Sequence, residues 1–299
     1  MPNTELLLRV NGIQAAFGFE LGSESPRVEE GRGGEPYRQA NVSYSLVQRS
    51  GGEVRRHTLI DVGMGVMPSL VEFERSHGVH VVHEVLITHP HFDHFAQLDW
   101  LSMALLRNGR SDQPRPLPAY ASQACWDAGP NRVFPYLAER SEFHCLQPGN
   151  AVALGDATIT PFAVDHGPKA LGALGFVVQH GGRKIVITGD CLRVCNEDDP
   201  LLFGADVCFM DANTWHPADH TSHQSILADL RLAEKWRSKR TYLLHYSGHE
   251  DRNYPHDPIH EPISLARLEE EVRRASGSRD VRVARHGMIL GDDVAWPGG

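Results

Sequence analysis

Residues 85–99 read VLITHPHFDHFAQLD: an apolar, β-like run passes directly into three histidines and an aspartate within six residues. Any fold this chain adopts must bring a strand end to a place where that cluster is useful. In an extended stretch, a spacing of two puts His89 and His91 on one side. Asp93 and His94 follow where a helical pattern begins, so these adjacent residues can face different ions. Three imidazoles and a carboxylate packed this closely suit a zinc-like divalent cation. The plainer reading, a solvated His-rich loop, fits poorly with a buried strand running straight into the cluster.

The cluster draws on an unusual stock: the 299 residues include 18 histidines. Otherwise the composition, 41% hydrophobic and 22% charged, is that of an ordinary globular protein and excludes a fibre, a disordered chain or a disulfide-stapled mini-protein. No apolar run approaches the roughly 20 residues a membrane helix needs, so no membrane partner is expected. The start lacks the basic and apolar regions of a secretory signal. Five cysteines (Cys125, Cys145, Cys191, Cys195, Cys208) without a CxxC pair fit free thiols in a reducing compartment, and a cytoplasmic location is expected. The formal net charge of -9 argues against a broad nucleic-acid footprint but leaves room for a local cationic site.

Short strand-like and helical runs alternate between three polar breaks near 22–36, 108–140 and 249–262, which read as loop insertions. Strands are predicted at 6–10, 42–47, 58–61, 84–88, 158–164, 175–180, 184–188, 207–210 and 242–245 from their β-branched and aliphatic content. Helices are predicted at 68–77, 93–107, 222–237 and 262–275. Strands come in meanders before each helix, which predicts one α/β domain over 1–299, with mixed sheets and helices outside.

Four further segments extend the cluster. Asp165–Gly167 (DHG) follows a β-run, 184–190 (KIVITGD) is an apolar strand ending in Gly-Asp, 242–245 (YLLH) ends in histidine, and LIDVG contains Asp61. With H-x-H-x-D-H and a late strand around 286–290, these pieces resemble the metallo-β-lactamase superfamily, in matching order over residues 42–291. The resemblance implies a four-layered αβ/βα sandwich with metals at the sheet edges. Carried over, it places His89, His91 and His166 on a first metal, and Asp93, His94 and His245 on a second, with Asp190 bridging. It implies two divalent ions, zinc first and manganese or iron as alternatives. Two such ions leave the site net positive, which attracts a small anionic substrate and lowers the pKa of a bridging water. Asp61 is either the carboxylate that orients a ligand imidazole or a turn residue before Gly63. Cys191, next to Asp190, reads as a buried bystander thiol.

The pattern is closest to the tRNase Z and cyclic phosphodiesterase branch. In 220–245, His223 lies ahead of a helix and 22 residues before His245, as does the leaving-group acid of that branch; His220 competes for the role. Thr221 or Ser222 as a helix cap beside exposed histidines is the plainer reading. The branch's long basic RNA-gripping arm is missing: Arg193 is the sole Arg or Lys between Asp190 and His223. Met210–Trp215 (MDANTW) also departs from the His-Glu-Ala-Thr run of tRNase Z. The resemblance therefore implies a binuclear hydrolase of a small (cyclic) phosphodiester and disfavours a large nucleic acid. A lactonase or thioesterase, and a non-hydrolytic cofactor-biosynthesis accessory or carrier, are the alternatives. Dimers are common in such a superfamily, so a homodimer is left open.

Overall fold

The computed structural model describes residues 4–16, 28–29, 40–217, 222–246 and 263–298. Its first half carries β1 (Glu5–Gly12), β2 (Val28–Glu29), β3 (Ser43–Ser50), β4 (Glu53–Ile60), α1 (Val66–His77), β5 (Glu84–Leu86), α2 (Phe92–Phe95) and α3 (Leu98–Arg107). There follow β6 (Leu117–Ala121), α4 (Gln123–Ala128), α5 (Pro130–Val133), α6 (Leu137–Arg140) and β7 (Ser141–Cys145). The second half carries β8 (Val152–Leu154), β9 (Ala157–Asp165), β10 (Leu174–His180), β11 (Arg183–Ile187), β12 (Arg193–Val194), β13 (Val207–Asp211), α7 (Ile226–Trp236) and β14 (Arg240–Leu244). The chain closes with β15 (Ile263–Ser264), α8 (Leu265–Ser276), β16 (Val281–Val283) and β17 (Ile289–Leu290).

Two mixed sheets result, with orders β17-β1-β3-β4-β5-β6-β7 and β12-β9-β10-β11-β13-β14-β16. Each repeats one plan. An antiparallel meander (β1–β3–β4; β9–β10–β11) leads into parallel strands (β4–β5–β6–β7; β11–β13–β14–β16). The sheets bury a common apolar layer, in which Leu8, Tyr44 and Leu86 of the first meet Ile159, Phe176 and Phe209 of the second. The Tyr44 and Phe209 rings meet edge-on at 5.1 Å. On the outer faces, Leu98, Leu101 and Trp126 cover the first sheet, and Leu230, Trp236, Leu268 and Val272 cover the second. The layers therefore run helix, sheet, sheet, helix, the predicted αβ/βα architecture. The parallel strands of both sheets point their carboxyl ends toward one edge, where open α/β sheets bind ligands. Among the described residues no helix is long and apolar enough to cross a membrane.

Three differences from the sequence reading have physical causes. The helix expected over 93–107 breaks into α2 and α3, because the backbone is diverted: Val62 N–H donates to the His94 carbonyl (2.8 Å) and Gln97 N–H to the Val62 carbonyl (2.9 Å). The helix expected from 222 starts at Ile226. Residues 223–225 run beside 213–214 instead, with Asn213 N–H donating to the Gln224 carbonyl, so Ser225, and neither Thr221 nor Ser222, is the N-cap. The stretch 108–140, expected as a loop insertion, instead supplies β6 and α4–α6, and β7 completes that sheet edge. The other expected insertions lie largely outside the described residues; within 22–36 only the short β2 is described, and 249–262 falls wholly outside.

Trp236 anchors the second outer layer. It is fully buried and its indole N–H donates to the Glu197 carbonyl at 2.9 Å. Trp236→Ala removes both the ring and that bond, so we expect a loss of about 3–5 kcal/mol in urea unfolding, with an unchanged m-value.

Candidate metal centre

Six residues of the centre sit at or just past the carboxyl end of a strand, while Asp93 and His94 belong to α2 and His223 precedes α7. Asp61 follows β4, His89 follows β5, His166 follows β9, Asp190 follows β11, Asp211 ends β13 and His245 follows β14. Asp61 and His245 both adopt left-handed backbones (φ 57° and 64°), which turn the chain sharply out of each strand. Gly189, immediately before Asp190, does the same at φ 62° and lies against Thr88. Gly63 is required for another reason: a Cβ there would overlap the Asp93 carbonyl oxygen. The bare backbone of the β4 turn is what lets the His89–His94 loop approach.

Among the described residues two clusters match the expected ligands, each with ligand atoms within 4.8 Å of one another: His89, His91 and His166; and Asp93, His94, Asp190 and His245. A third group, Asp190, Asp211, His223 and His245, meets the same distance and shares two residues with the second. The structure thus gathers all seven residues expected as ligands. Asp190 lies between the groups, its Oδ2 being 3.0 Å from His94 Nε2, 3.1 Å from His245 Nε2 and 3.9 Å from His89 Nε2. In the first cluster His166 Nε2 and His91 Nδ1 converge to 3.0 Å.

The rings are held from behind. His94 Nδ1 meets Asp61 Oδ2 at 2.8 Å, and the Asp61 carboxylate also accepts from Thr88 N–H (2.8 Å) and Thr88 Oγ1–H (2.7 Å). Asp61 is therefore both a turn residue and the carboxylate that orients His94. His166 Nδ1 lies 2.9 Å from the Ser222 carbonyl, and His245 Nδ1 lies 3.2 Å from Asp211 Oδ1. Such partners fix the tautomer and leave the other ring nitrogen to face inward.

The donor set fits cations. His89 Nε2 and Asp190 Oδ1 are buried with no hydrogen-bond partner among the described residues, an arrangement whose cost a bound metal removes. Imidazole and carboxylate donors together suit zinc and its neighbours.

The protein's own charges set two protonation patterns. Burial and the neighbouring His94 hold His89 well below the usual histidine range, and burial with His166 lowers His91 to about 4. Burial also opposes charge on His245, yet Asp190 and Asp211 hold it up to about 10. His94 is likewise raised well above its ordinary value, as Asp190, Asp93 and Asp61 outweigh its burial.

His223, expected as a proton donor, stands between the clusters. Its ring is 4.6 Å from both His166 and His245, and its Nδ1 is 2.7 Å from Asp211 Oδ2. His220 lies outside the described residues. Cys191 is buried, its thiol pushed well up by burial, and it belongs to neither cluster; its backbone N–H donates to Asp211 at 2.9 Å.

Asp211 is the functional residue the sequence reading missed. It ends an apolar strand (VCFMD), the signature that marked Asp61 and Asp190, but its match to the acidic position of the His-Glu-Ala-Thr run was hidden by the altered neighbours. Buried between His223 and His245, it is held below the ordinary carboxylate range by those imidazoles despite burial.

A four-layered sandwich with imidazole–carboxylate clusters at the strand ends defines a metallo-hydrolase fold. The chain belongs to the beta-lactamase superfamily domain family, whose sequence profile matches residues 56–246. A comparison with curated protein sequences gives no match. Among solved structures it is similar to a diphosphatase of the PhnP family (21% identity, 98% of this chain and 100% of the other, TM-score 0.71). It is also similar to Zn2+-bound PqqB from Methylobacterium extorquens (16%, 95% and 99%, TM-score 0.67) and to human short-form tRNase Z (20%, 95% and 98%, TM-score 0.59). At these identities the likeness is one of fold.

The charge pattern has a measurable consequence. Held up to about 10, His245 carries a proton at pH 7 that a cation must displace, and His94 is shifted in the same direction by its three carboxylate neighbours. Titrating chelator-treated protein with Zn2+ at pH 7 should release protons, about one per chain from His245 at the least, read by calorimetry in buffers of different ionisation enthalpy. Affinity should rise with pH; zero net release would contradict the assigned charge states.

Proposed function

We propose that this chain is a two-metal hydrolase of small phosphodiesters. His89, His91 and His166 would hold one divalent cation, and Asp93, His94 and His245 the other, with Asp190 shared between them. Zinc suits this donor set, and manganese or iron can occupy it. When bound, the two ions supply Lewis acidity and a water of lowered pKa as nucleophile. Everything else falls to protein groups.

One observation carries the reading: the His223–Asp211 pair beside both clusters. A carboxylate at Nδ1 fixes the orientation of the ring and leaves Nε2 as the nitrogen that can deliver a proton. An alkoxide leaving group needs that proton, whereas the thiolate of a thioester leaves without it. The pair therefore favours phosphodiester over thioester hydrolysis. The diphosphatase and tRNase among the structural neighbours support phosphate-ester chemistry. The acidic chain, with Arg193 alone between Asp190 and His223 and that residue already paired with Asp165 at 2.9 Å, favours a small substrate over an RNA.

Two experiments test this. Asp190→Ala should lose at least one of two metal equivalents measured by plasma emission and abolish hydrolysis of bis-p-nitrophenyl phosphate; full retention of both metals would exclude its shared role. His223→Ala should keep its metal while kcat falls about 100-fold or more on a diester with an alkoxide leaving group. With p-nitrophenolate, which needs no proton, the loss should be much smaller. Equal losses on both substrates, or the selective loss in His220→Ala instead, would overturn the assignment. A panel of lactones and thioesters hydrolysed faster than any diester would replace the substrate class.

A further inference from the structure

A cavity of about 540 Å³ lies away from the strand ends just described, between α8, the edge strand β16 and the turns flanking β17. Four arginines line it, Arg273, Arg279, Arg282 and Arg285, against two carboxylates, Glu269 and Asp280. In a chain of net charge -9 this is a local reversal of sign. Carboxylates neutralise it only in part: Arg282 is bidentate to Asp280 (2.6 and 3.1 Å), Arg285 and Arg279 are paired, and Arg273 is the exception. Asp280 is divided between two guanidinium groups, accepting from Arg282 Nε at 2.6 Å and from Arg240 Nε at 2.8 Å. Glu269 is taken by Arg285 through Nε (3.0 Å) and Nη2 (2.7 Å). Arg279 pairs outward with Glu234 at 2.9 Å. Arg273 has no ion-pair partner among the described residues. The floor is different in kind, being formed by Tyr242, Val281, Val283, Met288 and Val294.

An apolar floor under a few convergent charged groups, in a cavity of this size, is the general form of a small-molecule site. Guanidinium groups bind phosphate oxygens in pairs and stack on planar rings. We propose that this cavity is a second ligand site, separate from the metal centre, for a small organic phosphate with an apolar or planar body, such as a nucleoside monophosphate. Arg273 and Arg282 hold the phosphate, and the floor takes the body.

The test uses AMP, adenosine and inorganic phosphate as probes, by calorimetry on the metal-loaded full chain. The Arg273→Ala, Arg282→Ala double variant removes two exposed side chains and leaves Asp280 paired with Arg240. It should fold with unchanged thermal unfolding and unchanged hydrolysis of bis-p-nitrophenyl phosphate. AMP affinity at the arginine-dependent site should fall at least about tenfold, and Asp190→Ala should retain that site. Adenosine and inorganic phosphate should each bind at least about tenfold more weakly than AMP, since each offers half of the contacts. AMP binding unchanged by the double variant, or absent from Asp190→Ala, would refute the site. Adenosine binding as tightly as AMP would refute the phosphate assignment, and inorganic phosphate doing so would refute the role of the floor. Because Asp190→Ala disables only the metal centre, failure here is distinguishable from failure of the hydrolase reading.

Discussion

Buried carboxylates and imidazoles alternate in one unbroken line: Asp61 to His94 (2.8 Å), His94 to Asp190 (3.0 Å), Asp190 to His245 (3.1 Å), His245 to Asp211 (3.2 Å) and Asp211 to His223 (2.7 Å). Charge of this density survives burial only when each group faces an opposite partner. The line begins in the first sheet and ends in the second, so its register fixes how the strand ends of the two sheets face one another. The left-handed turns at Asp61 and His245, the glycine at 63 and the broken helix after His94 all serve that alignment. Local backbone preference is overridden where the site requires it.

Much of this was legible in the sequence, because both the ligands and the strands leave local marks. An apolar run ending in Asp or His marked Asp61, Asp190 and His245, and the dense H-x-H-x-D-H segment marked four residues at once. Strands of the two central meanders were visible for the same reason, their β-branched residues being buried on both faces. What was not legible depended on contacts far along the chain. The interruption after His94 comes from Val62, which no pattern within 93–107 encodes. The start of α7 is set by the pairing of 223–225 beside 213–214, and the short parallel strands β6, β7 and β16 lie in proline- or arginine-rich sequence whose polarity resembles a loop. Asp211 escaped because its partners, His223 and His245, are brought to it only by folding.

The two sheets share a plan but not a composition. The first contributes the densest cluster within six residues, while the second contributes His166, Asp190, Asp211, His223 and His245 from points spread over some eighty residues. The candidate metal centre thus joins a compact half to a dispersed one. In the dispersed half each donor is held by its own strand and by a partner behind it, so single substitutions there act through orientation as well as through loss of a ligand.

The chain order of these donors bears on the protein's birth. A ribosome delivers the residues of the first sheet early, with His89, His91, Asp93 and His94 already complete and Asp190 and His245 still to come. A nascent chain at that stage therefore carries the first sheet's candidate ligands without Asp190, His223 or His245. The candidate centre is complete only once β14 has been made and laid against β13. Synthesis thus orders the site: the proposed reactivity would arrive with one of the last parallel strands to be built.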